Sequence, residues 1–332
     1  MAGPKSEQGQ QALDYANTAM GVMLRLSNGR KSEMRYPLRA ALGGAALLIL
    51  GSAATAAERL DPANPDHAIL LGQKMNCSLN EGETILYWWQ GGAMSRMPGE
   101  KDRHIFNVQG MNIRQCKNYE DPERGHGYRS VSRELLIYMD PDTNEVLRTW
   151  TNPWTGEEVE VGHVANDPVN MRGPAYARRP DGTGITFNGR FMKGRVWTTG
   201  FAPLFYTNPL AGDYQEYVGG TYHAMEMLNA YAYEDELLDP ELPTLKRYTL
   251  SWARTSKWLP WMKMGDRPGM MIFTTVGKRV AGIDDLTEPL LSELRNNYPE
   301  YAEPPPLDDA RPNVTSWSYF KSVTEPEGEW RQ

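Results

Sequence analysis

The strongest constraint on the fold is a recurring pattern: short runs of β-branched and aromatic residues separated by turns rich in Gly, Pro, Asn and Asp. Residues 83–89, Glu-Thr-Ile-Leu-Tyr-Trp-Trp, read as a strand that Gly91-Gly92 interrupts, and Met94 to Met97 resume it. Pro98-Gly99-Glu100 makes a turn, and strands follow at 104–108 and 131–139, the latter closed by Asp140-Pro141-Asp142-Thr143-Asn144. A hairpin is expected over 145–164, with its reversal at Asn152 to Glu157, where Gly156 can take positive φ. Further strands are expected at 184–187, 195–199, 247–254 and 270–276, and the stretch 201–212 reads as a long ordered loop. Residues 214–231 fit strands better than a helix, since they are aromatic-rich and have no helix cap. A helix capped by Asp285 or Thr287 runs to Asn296 with Leu286, Leu290, Leu291 and Leu294 as its apolar stripe. The expected fold is therefore mainly β, a single antiparallel barrel-like or strongly curved sheet domain with a C-terminal helix packed on it.

The chain's 332 residues divide unevenly. Residues 34–56 carry a basic start (Arg35, Arg39), an apolar run from Leu38 to Leu50 and a small-x-small site at Ala54-Thr55-Ala56, the pattern of an export signal. Residues 1–33 read as a leader or a misassigned start. The competing reading, a leader before a membrane anchor, is disfavoured because the apolar run is short and rich in Ala and Gly. The mature β-rich domain spans 57–303, and 304–332 form a tail that opens on three prolines and ends in an added strand at 317–320. Cleavage near Ala56 gives a periplasmic or secreted product with no membrane contact. It removes six basic and three acidic residues, which takes the formal charge from −7 to about −10 and argues against nucleic acid as a partner. Cys77 and Cys116 are the only cysteines; in an oxidising compartment they pair or remain two separate buried thiols, with a catalytic cysteine or metal ligand as the weakest alternative.

Three segments together resemble a known family: Tyr138 to Leu147, Trp150 to Glu157, and His163-Val164-Ala165-Asn166-Asp167-Pro168-Val169-Asn170. They are similar to the bacterial domain of unknown function number 1838, over roughly residues 70–300. The resemblance implies a single domain, in a family whose members often carry export signals. It carries no catalytic set.

Candidate chemistry therefore rests on the residues themselves. Strand alternation puts His163 with Val159 and Val161 on the inward face, leading into Asp167, so His163 serves as the expected acid or base with Asp167 and Tyr138 as its catalytic company. Arg133 alternates with Val131, Leu135 and Ile137, and Arg254 with Tyr248, Leu250 and Trp252. An inward guanidinium needs a carboxylate or a ligand anion, so each arginine either clamps substrate or pairs internally with Glu134, Glu226 or Asp167. Trp88, Trp252, Trp258 and Trp261 suit a ligand cavity, the last three as its rim. A metal site drawn from His104, His163 and His223 is the weaker alternative, because no pair has diagnostic spacing. No cofactor is expected, since GxGxxG, GxSxG, HExxH and Walker patterns are missing from the sequence. The leading expectation is an exported lyase- or hydrolase-like enzyme acting on a small aromatic or apolar molecule with a polar or anionic group. The alternative is a non-catalytic periplasmic protein that binds such a molecule.

Overall fold

A computed structural model describes residues 59–207 and 221–324. Two antiparallel meanders make up its main sheet. The first contains β1 (Ile85–Arg96), β2 (Arg103–Asp121) and β3 (Gly125–Met139). Five short strands follow: β4 (Thr149–Thr151), β5 (Glu158–Glu160), β6 (Val164–Asn166), β7 (Ala175–Tyr176) and β8 (Arg190–Met192). The second meander contains β9 (Arg195–Thr207), β10 (Thr221–Tyr233), β11 (Tyr248–Ser256) and β12 (Met270–Val280). Pairing of β1 with β12, in the register Leu86 opposite Val280, joins the two halves. The resulting order is β6-β3-β2-β1-β12-β11-β10-β9-β8, with β7 also on β3; β4 and β5 form a separate two-stranded hairpin.

This order corrects the barrel-like or strongly curved sheet expected from the sequence. The path is open, and its two ends, the three-residue strands β6 and β8, do not pair with each other. A string of alternating strands and turns looks the same whether or not the last strand meets the first, because closure depends on long-range pairing. The expectation of one C-terminal helix is also corrected, since among the described residues two α-helices follow the sheet: α3 (Leu290–Asn297) and α4 (Ser316–Thr324). Before the sheet lies α1 (Pro65–Asn76), and after β10 the single turn α2 (Glu234–Leu237).

Helix α1, which the sequence reading missed, starts on local chemistry. The Asn64 side chain accepts the Asp66 backbone N–H at 3.0 Å and Pro65 occupies the first helical position. Helix α4 replaces the tail strand for a similar reason: Thr315 Oγ1 accepts the Ser318 N–H at 3.1 Å. Its buried side chains, Trp317 and Phe320, are three apart, a helical spacing. Leu290 and Leu294 of α3 pack with Leu286 against Met111, Ile113, Leu135 and Ile137, so the helix covers one face of β2 and β3. The expected loop at 201–212 is strand β9 as far as Thr207, with 208–212 outside the described residues. In 214–231 the strand reading holds from Thr221 onward; 214–220 lie outside the described residues, as do the leader and the export signal. Cys77, just after α1, and Cys116 of β2 form a disulfide.

Candidate functional site

Every second residue of β1, β2, β3, β10 and β11 points to the face opposite α3. There a cavity of about 660 Å³ lies, a size suited to a small organic ligand. One wall is polar: Asn112 and Arg114 from β2, Ser130, Ser132 and Glu134 from β3, and Asn76 from the end of α1. The other is mostly apolar, with Leu228 and Ala230 from β10, Leu250 and Trp252 from β11, and Phe187; Trp89 of β1 lies between the walls. Glycines on both neighbouring strands make room for Trp89, one at its ring and one at its backbone and Cβ. A Cβ on Gly110 of β2 would fall 2.5 Å from the Trp89 ring, and one on Gly277 of β12 would fall 2.7 Å from its Cβ.

The charged groups on this face set its electrostatics. Arg254 of β11 pairs with Glu226 of β10 at 3.4 Å and donates a short hydrogen bond to the Tyr222 hydroxyl. Burial raises the Glu134 carboxyl to about 7; the Glu226 charge adds to the rise, and the Arg254 and Arg114 guanidiniums oppose it. Its residue surface keeps some exposure to the cavity, so solvent there moderates the effect. Burial also raises the Tyr138 phenol, which keeps it neutral and a hydrogen-bond donor. Arg114 donates to the Asn112 side-chain oxygen at 2.7 Å and to that of Asn76, and its guanidinium lies 4.8 Å from the Tyr87 ring centroid.

Comparison with family models matches residues 82–324 to Protein of unknown function (DUF1838). The chain belongs to the DUF1838 family. Comparison with curated proteins gives no match. In this DUF1838 protein no helix among the described residues is long and apolar enough to cross a membrane.

The cavity brings together only part of what the sequence singled out. Trp252 lines it, and Arg254 stands in its charged cluster as the partner of Glu226. His163 does not reach it. The residue falls between β5 and β6, 6% exposed, with its ring 6.0 Å from that of Tyr138 and nearly parallel. Nδ1 accepts the Tyr138 backbone N–H at 3.1 Å, which selects the neutral tautomer with its proton on Nε2. Burial, reinforced by the Arg148 charge, pushes the imidazole down to about 4. The space beside it measures about 10 Å³, room for one water and no substrate. His163 does point inward, as the alternation expects, but β5 ends at Glu160 and the inward side there is packed core rather than the cavity.

Arg133 and Asp167 follow the internal-pairing alternative and lie away from the cavity. Arg133 lies on the helix-covered face, paired with Asp167 at 3.1 Å and donating to the carbonyls of Glu300 and Glu303 at 2.6 and 2.8 Å. Arg311 takes the same carboxylate at 2.7 Å, so these residues anchor the C-terminal tail. Tyr138 is buried in the core. Trp88 faces the helix side and packs with the α3 cluster, because the neighbouring Trp89 takes the cavity side. Trp258 and Trp261 are core residues: Trp258 Nε1 donates to the Arg267 carbonyl at 2.9 Å, and Trp261 packs on Phe106, Tyr138 and Trp150. His104 holds the Phe106 carbonyl at 3.0 Å and His223 is exposed on β10, so the three histidines do not converge. Among the described residues no group of three or more His, Cys, Asp or Glu could hold a metal ion.

Sequence reasoning missed Arg114, Trp89 and Asn76 as cavity residues. The period of two in β2 puts Asn112 and Arg114 on one side, a signal that was available. Which side holds the cavity was not, since it depends on where α1 and α3 dock.

Proposed function

We propose that this DUF1838 protein binds a small aromatic or apolar molecule carrying a polar or anionic group, and does so after export to the periplasm or beyond. The observation that carries this reading is the 660 Å³ cavity, whose lining combines indole and aliphatic side chains with amides, hydroxyls and a guanidinium. Export is supported by the signal-like segment ending at Ala56 and by the Cys77–Cys116 disulfide, which suits an oxidising compartment. Binding is favoured over lyase or hydrolase chemistry because the base expected to drive such chemistry, His163, lines no part of the cavity. One observation favours a catalytic second reading: Glu134 lines the cavity with its carboxyl raised to about 7, where proton transfer is efficient.

Native mass spectrometry of the purified protein, set against its denatured mass, tests the binding reading. A mass lost on denaturation is expected, and Ala230→Trp, which fills the cavity, should abolish it. An adduct that survives this substitution overturns the reading. So does a native mass equal to the bare chain together with tryptophan fluorescence unmoved by 2-naphthoate, 2-naphthamide and 2-naphthylmethylamine. Turnover of a bound molecule that Glu134→Gln removes while binding persists establishes the catalytic reading.

A further inference from the structure

Two guanidiniums lie against one aromatic ring beside the cavity. Arg114 of β2 and Arg279 of β12 sit 4.8 and 5.0 Å from the Tyr87 centroid. Among the described residues, no carboxylate lies within ion-pair distance of either one. Arg279 is buried and donates to the Tyr87 hydroxyl at 2.6 Å, to Thr244 Oγ1 at 3.0 Å and to the Lys74 carbonyl at 2.8 Å. Arg114 lines the cavity; its Nε and one terminal nitrogen are held by the oxygens of Asn112 and Asn76, while Nη2 has no partner among the described residues. Arg133 and Arg254, by contrast, each have a carboxylate partner.

Neutral amide oxygens fix the plane of a guanidinium without cancelling its charge. A fixed, part-buried cation with free N–H donors facing a cavity is the arrangement that recognises a planar anion. The two carboxyls in the cavity do not reverse that preference. Glu226 is already paired with Arg254, and Glu134 takes up a proton near neutrality because burial and the Glu226 charge disfavour its anion. The Trp89, Leu250 and Trp252 side chains supply apolar lining of the same cavity.

We propose that the ligand of this cavity carries a carboxylate, which binds Arg114 between Asn76 and Asn112 while the wall of Trp89, Leu250 and Trp252 covers its aromatic or apolar body. The inference rests on the reading that the cavity binds a small molecule, and it narrows the class to carboxylate-bearing amphiphiles. Arg279 reinforces the positive potential from the other strand that contacts Tyr87.

Three probes that share one ring system and differ in head group test this on the full chain: 2-naphthoate, 2-naphthamide and 2-naphthylmethylamine, titrated by tryptophan fluorescence. The expected result is that the carboxylate binds at least about tenfold tighter than the amide, and the amine weakest of the three. In Arg114→Gln the carboxylate should fall to the level of the amide, whose own binding stays unchanged, and Arg114→Lys should retain part of the preference. Equal or tighter binding of the amide or the amine to the unsubstituted protein overturns the inference and leaves the binding reading standing. No binding by any of the three overturns the inference, and together with a native mass equal to the bare chain it overturns the binding reading as well. A carboxylate preference that survives Arg114→Gln removes Arg114 as the anchor. If Arg114→Gln fails to fold, Arg114→Lys and the probe ranking on the unsubstituted protein still decide.

Discussion

His163 and Glu134 are both ionisable groups tied to strand β3, and burial pushes both toward their neutral forms. Their surroundings differ. His163 is wedged between the Tyr138 ring and the α4 side of the core, with space for no more than a water. Glu134, four residues before Tyr138, opens onto a cavity large enough for a ligand. A perturbed pKa thus marks burial in both places, and only the second has room for function.

The largest expected effect separates the two regions by stability. Trp261→Ala removes an indole packed on Phe106, Tyr138 and Trp150 near His163, and should cost about 3–5 kcal/mol in urea denaturation while leaving 2-naphthoate binding to the surviving folded fraction unchanged. Trp252→Ala, on the cavity wall, should cost about 1–2 kcal/mol and weaken that binding. Equal stability losses would erase the distinction between a sealed core and an open site.

Next comes the acid limb. His163 titrates near 4 when folded and near 6.5 when unfolded, so the unfolded chain binds more protons between those values. Its contribution to stability is complete above pH 6.5 and is lost as the pH falls toward 4, by up to roughly 3 kcal/mol. His163→Gln should flatten this part of the profile, read as denaturation midpoints at pH 7 and 4.5. An unchanged slope would mean that His163 is not held neutral.

Glu134 acts with the opposite sign. Its folded value near 7 lies above its unfolded value near 4.5, so the folded chain binds more protons in between, and stability declines as the pH rises through 7. Glu226 on β10, Arg254 on β11, Arg114 on β2 and the phenol of Tyr138 are the charged and titratable groups around it. Because the cavity admits solvent, Glu134→Gln should stabilise the protein at pH 8 by only about 1–2 kcal/mol and have no such effect at pH 4. Destabilisation at pH 8 would show that the carboxylate makes a net favourable pairing.

The smallest effect sharpens the comparison from the cavity side. Leu228 is 45% exposed and lines the cavity, so Leu228→Ala should shift stability by less than about 0.5 kcal/mol yet weaken 2-naphthoate binding measurably.

Much of the sheet was legible because strand signals are local. The runs at 83–89, 131–139, 247–254 and 270–276 lie within or largely overlap β1, β3, β11 and β12, and Trp252 and Arg254 were placed together on one face by alternation alone. The tail strand failed at Thr315, whose hydroxyl caps a helix, and the 158–164 strand is cut short because the backbone leaves the hairpin after Val161, whose N–H still donates to the Arg148 carbonyl. Arg133 and Arg254 read alike in the sequence, each alternating with apolar residues. In the structure they occupy opposite faces, one anchoring the C-terminal tail through Asp167 and the other facing Glu226 beside the cavity.

By itself, the sequence determined the positions of most long strands and the sets of side chains that share a face, because pleating alternates residues whatever the neighbours do. Only the tertiary structure decided which of those faces is covered and which encloses space. That choice depends on α3 docking against β2 and β3, on β1 pairing with β12 across nearly 200 residues, and on Gly110 admitting the Trp89 ring. Such contacts have no period to read, so the same alternation that pairs Asn112 with Arg114 could not say that this arginine, and not Arg133, lines the cavity.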